Sequence, residues 1–133
     1  MRVVLDTNVV VSAAFFGGPP RRVVDAWISG QLQVVLFPSI FDEYLSVCDR
    51  LRASYPGTDY QPLLTAFLAH GLLVADSSDK GTITADPNDD KFMRCALTAD
   101  ATVVSGDRHL LDVDGWRGVR VATPAQLLAH LAD

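Results

Sequence analysis

Short apolar runs alternate along this chain with segments whose hydrophobic positions recur at helical spacing. Residues 2–5 (RVVL) and 33–37 (QVVLF) are nearly continuous apolar stretches, the pattern of strands buried on both faces. Between them the cluster Gly17, Gly18, Pro19, Pro20 breaks the chain and predicts a helix from about Arg21 to Ser29, with Gly30 as its stop. Pro38-Ser39 opens a second helix to about Arg52, with Ile40, Phe41, Tyr44, Leu45 and Cys48 on one side, and a third runs from about Tyr60 to His70 and ends at Gly71. LLVAD (72–76) reads as a third strand, and 77–88 as a polar loop with a brief extended piece at 82–84. Asp89 or Asp90 opens a helix to about Ala99, carrying Phe92, Met93, Ala96 and Leu97 on one side. Residues 101–105 (ATVVS) and 119–122 (VRVA) complete the strands, Gly106-Asp107 forms a turn, and Pro124–Leu131 a closing helix. Alternating strands and helices with near-continuous apolar strands imply a parallel sheet covered on both faces, a three-layer α/β/α sandwich. Functional sites of such folds gather at the carboxyl ends of the strands.

Two acids fall at such ends. Asp6 follows the first strand and Asp107 the fourth, so in a parallel sheet both face one rim. If the two strands are neighbours, the carboxylates lie close enough to resist ionising together. A lone Asp after a strand is ordinarily a turn or helix-cap residue, and Asp89 and Asp90 have the same explanation at the start of their helix. A cap does not preclude a ligand, and a helix start near the rim aims its acids toward Asp6 and Asp107. Glu43, the only glutamate against fifteen aspartates, lies early in the second helix, where it suits the positive end of the helix dipole and has the reach to join the same rim. Oxygen-only donors without a His/Cys cluster favour a hard cation, Mg²⁺ or Mn²⁺, which can lower the pKa of bound water and stabilise phosphate-ester cleavage.

Composition narrows the class. At 133 residues and 49% hydrophobic, the chain suits one globular domain spanning 1–133, with no apolar run long enough for a membrane span. The N-terminus shows no basic region followed by an apolar core and cleavage site, so a cytoplasmic protein is expected. Cys48 and Cys95 form no CxxC and read as buried thiols in a reducing compartment. A net charge of −5 argues against nucleic-acid binding through a general basic surface, but carboxylates that hold a cation contribute to that charge. Contacts to phosphate would fall to arginines such as Arg21, Arg22, Arg50, Arg52, Arg94 and Arg108, whose ordinary role is solvated surface charge. Arg108 lies nearest the acids. Trp27 and Tyr44 sit among apolar neighbours and read as core, and His109 is the one histidine close in sequence to an acid.

Four segments in this order, VVLDTNVVVSA, FDEYLSV, DPNDDKFMRCAL and VVSGDRHLL, make the sequence resemble the PIN-domain ribonucleases over essentially its whole length. The likeness is greatest to the small bacterial branch that forms the toxin components of type II toxin–antitoxin pairs. The resemblance implies a five-stranded parallel sheet of order 3-2-1-4-5, divalent-metal dependence and hydrolysis of single-stranded or looped RNA. It assigns Asp6 as the first acid, Glu43 as the helical acid, Asp107 as the acid after the fourth strand, and the Asp89/Asp90 pair as the acid opening the helix. Within that pair Asp89 is preferred as metal ligand, because its distance to Asp107 fits the family spacing. Thr7, Asn8 and Ser105 match small polar positions that brace the acids, with Asp6, Glu43, Asp89 and Asp107 as the metal set. A cognate antitoxin protein and a homodimer are the partners it implies.

Two other readings compete. GDRHLLD, with Asp107 and Asp112, satisfies a GDxxxxD pattern of haloacid-dehalogenase-like phosphatases, in which Asp6 would be a nucleophile. That family expects an acid two residues later, where this chain has Asn8. A non-catalytic PIN module that only binds a partner would be marked by loss of an acid, and none of the acids is missing.

Overall fold

The computed structural model describes residues 1–79 and 81–133; position 80 of the expected 77–88 loop lies outside the described residues. Five strands, β1 (Arg2–Leu5), β2 (Gln33–Leu36), β3 (Leu72–Leu73), β4 (Thr102–Val104) and β5 (Val121–Ala122), form one parallel sheet of order β3-β2-β1-β4-β5. The parallel sheet is the one the sequence pattern predicts, and its order is the one the PIN resemblance implies. Among the described residues seven α-helices flank it: α1 (Thr7–Phe15), α2 (Gly18–Ile28), α3 (Pro38–Leu51), α4 (Gln61–His70), α5 (Asp90–Ala99), α6 (Arg108–Leu111) and α7 (Pro124–Ala132). Among the described residues no helix is long and apolar enough to cross a membrane.

The core is built on the central strands. Val3, Val4, Leu5, Val34, Val35, Leu36, Val103 and Val104 are all buried, and α5 packs Phe92, Met93 and Ala96 across β1, β2 and β4. Trp27 stacks on Phe67 with ring centroids 4.8 Å apart, and Tyr44 packs against the same ring at 5.0 Å, so both belong to the core as their neighbours in sequence implied. Cys48 and Cys95 are free and buried; burial pushes the Cys95 thiol up to about 12, which leaves it protonated and inert at neutral pH. Gly71, read as the stop of α4, cannot be anything larger. A Cβ there would stand 2.5 Å from the Phe67 carbonyl oxygen and 2.9 Å from the Leu36 side chain.

The largest departure from the sequence pattern is α1. TNVVVSAAF carries three adjacent valines and no amphipathic period, because Thr7, Val9, Val10, Val11 and Ala13 are all buried. Tertiary packing overrides the weak helix propensity of β-branched residues there. The next helix begins at Gly18 rather than Arg21: Pro19 and Pro20 occupy its first turn, where a missing N–H costs nothing. The strands are shorter than their apolar runs, most clearly β3, which ends at Leu73, and β5, which begins at Val121. Residues 82–84 form no strand.

Tyr44 ties α3 to the sheet. Its ring is buried and its hydroxyl donates a 2.5 Å hydrogen bond to the Leu5 carbonyl at the end of β1. Tyr44→Phe is expected to lower unfolding free energy by about 1–2 kcal/mol, since it leaves a buried carbonyl short of a partner; urea denaturation of the two proteins measures it.

Candidate metal centre

The site begins with the register of β1 against β4. Leu5 pairs with Val104, and the Asp6 amide continues the ladder by donating to the Val104 carbonyl at 3.0 Å. Asp6 is thereby set beside Ser105, just beyond the carboxyl end of both strands. The Ser105 hydroxyl, fully buried, donates to Asp6 Oδ2 at 2.7 Å and accepts the Asp107 amide at 2.9 Å. One hydroxyl therefore fixes the positions of two acids.

Asp107 ends the strand and starts α6. Its Oδ1 accepts the His109 amide at 2.8 Å, so it serves as a helix cap and a rim acid together. Asp89 stands at the N-cap position of α5, but its side chain makes no capping bond. Its carboxylate instead joins the rim. Oxygens of Asp89 and Asp107 and a ring nitrogen of His109 lie within 4.8 Å of one another. Burial, and then the charges of Asp6 and Asp107, raise the Asp89 pKa from the ordinary 3.8 to about 6. Asp6, only 4% exposed, is also raised, by burial first and then by Asp107 and Glu43, against the opposing Ser105 hydrogen bond.

Asp90, the other half of the sequence pair, does not join them. It is buried and faces the segment before its helix, where it accepts the Thr84 amide and hydroxyl, both at 2.8 Å, and the Ile83 amide at 3.2 Å. Arg94 turns the same way, donating to the Gly81 carbonyl with its guanidinium 3.9 Å from Asp90. Neither residue is at the rim, so the sequence expectation of Asp90 as a site acid and Arg94 as an RNA contact meets a geometry in which both anchor the 81–84 segment.

Glu43 reaches the rim from α3, yet both its oxygens are filled by donors. The Thr7 hydroxyl donates to Oε2, while Asn88 Nδ2 and Lys91 Nζ each donate to Oε1 at 2.8 Å. Burial alone would raise the Glu43 pKa, but the hydrogen bonds from Lys91, Thr7 and Asn88 outweigh it and hold the carboxyl below its usual range. Lys91 and Asn88 were not singled out from the sequence. The signal was an exposed-looking lysine in a helix's first turn, where a cation opposes the dipole. Asn8 is exposed on α1, and Arg108 is exposed beside Asp107 with no ion pair among the described residues.

Because Asp6 and Asp89 hold their protons more tightly folded than unfolded, both stabilise the metal-free protein most at acid pH; for Asp89 that contribution is fully present below about pH 4 and is lost as pH rises through about 6. Asp89→Asn is therefore expected to raise metal-free stability at pH 7 by about 1–2 kcal/mol after solvent screening, and to flatten its decline between pH 4 and 6. Asp90→Ala is expected to lower stability by about 2–3 kcal/mol at the same pH, because it strands buried donors. Thermal melts of both variants across pH read the contrast.

A family model described as PIN domain matches residues 2–109. The chain is 29% identical over 118 residues to the uncharacterized protein MJ1680 of Methanocaldococcus jannaschii, covering 85% of this chain and 75% of that protein. In fold it resembles a chain in the crystal structure of VapBC2 from Rickettsia felis bound to a DNA fragment from their promoter, with a TM-score of 0.64 at 15% identity, covering 92% of this chain and 98% of that one. It also resembles PAE2754 from Pyrobaculum aerophilum, with a TM-score of 0.61 at 16% identity, covering 99% and 90%. With its sheet order, its rim of acids and a family match over most of its length, this chain belongs to the PIN domain family.

Proposed function

We propose that this protein is a Mg²⁺- or Mn²⁺-dependent endoribonuclease built as a single PIN-like domain over residues 1–133. The observation that carries the reading is the convergence of Asp6, Asp89 and Asp107, from three separate elements, on one rim despite their mutual repulsion. The residues suit a hard divalent cation. They offer carboxylate oxygens, two of the acids have a pKa raised by burial and then by neighbouring carboxylates, and His109 adds a nitrogen that Mn²⁺ accepts. Asp89 and Asp107, with Asp6 beside them, would hold the ion, which supplies Lewis-acid activation of water and charge neutralisation at the scissile phosphate.

The other residues act on these acids or on RNA. Ser105 orients Asp6 and Asp107 through its single hydroxyl. Thr7 holds Glu43, which keeps a negative charge at the rim. Arg108, exposed beside Asp107 and without an ion pair among the described residues, would bind a flanking phosphate bidentately, Asn8 lines a cavity with Asp107, and Arg94 drops out of the RNA-binding set. The similarity in fold to a chain of the VapBC2 assembly supports a role as a toxin component with a cognate antitoxin; a cytoplasmic location and a homodimeric state are proposed with it. The phosphatase alternative has less behind it: Asn8 stands where its second acid belongs, and Asp6 is fastened by Ser105.

Labelled single-stranded RNA incubated with Mn²⁺ or Mg²⁺ is expected to be cleaved by the protein and spared in EDTA. Asp6→Asn should slow cleavage at least about 100-fold, since losing even an outer partner of a metal ligand costs 10–100-fold. Unchanged cleavage in the variant would remove Asp6 from the site. Turnover of a generic phosphatase substrate without RNA cleavage would make Asp6 a nucleophile, and inertness toward both would leave a binding module.

A further inference from the structure

The ammonium of Lys91 sits inside the acid site and is held there from three directions. It donates to Glu43 Oε1 at 2.8 Å, to the Asn88 carbonyl at 2.7 Å and to Asn88 Oδ1 at 3.3 Å. The two charged side chains are largely enclosed, 18% and 20% exposed. Asn88 completes the clamp by donating its own amide to the same Glu43 oxygen at 2.8 Å, while Thr7 takes the other oxygen. Lys91 is also the second residue of α5, where a positive charge faces the positive end of the helix. Its placement runs against the helix's preference and is held by Glu43.

We propose that Lys91 is a resident cation that occupies Glu43 and limits the acid site to one divalent ion, an inference that rests on the metal-dependent reading above. A two-ion centre needs carboxylates enough to hold ions roughly 3.5–4 Å apart. Asp89 and Asp107 face one another with His109; of the other acids whose charge bears on Asp89, Asp86 caps the turn before α5 by accepting the Asn88 amide, and Glu43 reaches in from α3. For Glu43 to ligate a second ion, the Lys91 ammonium would have to be displaced from a largely enclosed pair and left without its counter-charge, the costly way to break such a pair. Lys91 therefore supplies the second positive charge of the site covalently, as part of the chain. It is a positioning residue: its protons are committed to Glu43 and Asn88, and it acts by fixing where Glu43 points and how many ions the rim accepts.

Mn²⁺ binding to the full chain at neutral pH, by calorimetry and by electron paramagnetic resonance of the free ion, tests this without reference to RNA cleavage. The wild-type protein is expected to bind one ion. Lys91→Met should bind two, Lys91→Arg one, and Lys91→Met combined with Glu43→Gln one again. Glu43→Gln alone should keep the single ion, and it decides the matter if Lys91→Met fails to fold by circular dichroism. Two ions in the wild type, one in a folded Lys91→Met, or loss of the ion in Glu43→Gln would overturn the inference and leave the metal-dependent reading standing. No Mn²⁺ binding by the wild type would overturn both.

Discussion

The parallel pairing of β1 with β4 is the constraint on which the site depends. It carries the ladder one residue past each strand, so that the Asp6 amide bonds to the Val104 carbonyl and Asp6 lies beside Ser105. A shift of one residue in that register would take Asp6 away from Ser105 and break the hydrogen bond between them. The buried valines on both strands and the packing of α5 across them fix the register, and the Tyr44 hydroxyl secures the Leu5 carbonyl at the same point. The core thus sets the geometry of the rim.

That geometry has an electrostatic cost. Carboxylates from β1, β4 and the start of α5 meet in partial burial, and the site answers in two ways. Asp6 and Asp89 shift toward the protonated form, while Glu43 stays ionised because Lys91, Asn88 and Thr7 surround it. The rim is consequently divided. One side, at Asp6, Asp89 and Asp107, has no ion pair to a lysine or arginine among the described residues; the other, at Glu43, has Lys91.

Asp89 and Asp90 show how finely the division is drawn. Neighbours at the start of a helix differ by about 100° in direction, so they cannot both face the rim. Asp89 looks outward to Asp107, and Asp90 looks back to the Thr84 amide and hydroxyl, where it fixes the segment that leads into α5. One acid supplies the site and the next holds the element that presents it.

The amino-acid pattern alone determined the sheet-and-helix alternation, the strand-end positions of Asp6 and Asp107, the helix-start position of Asp89 and the place of Glu43 within α3, because burial periodicity and helix-start chemistry are local properties of the chain. The PIN resemblance read in those residues carried the strand order as well. Tertiary structure alone decided the rest. It made a helix of the valine-rich α1, since a segment buried on nearly all sides shows no period; it separated Asp89 from Asp90, since direction depends on where the helix docks; and it brought Lys91 onto Glu43, 48 positions apart, since an ion pair between distant segments exists only after the sheet has closed them together.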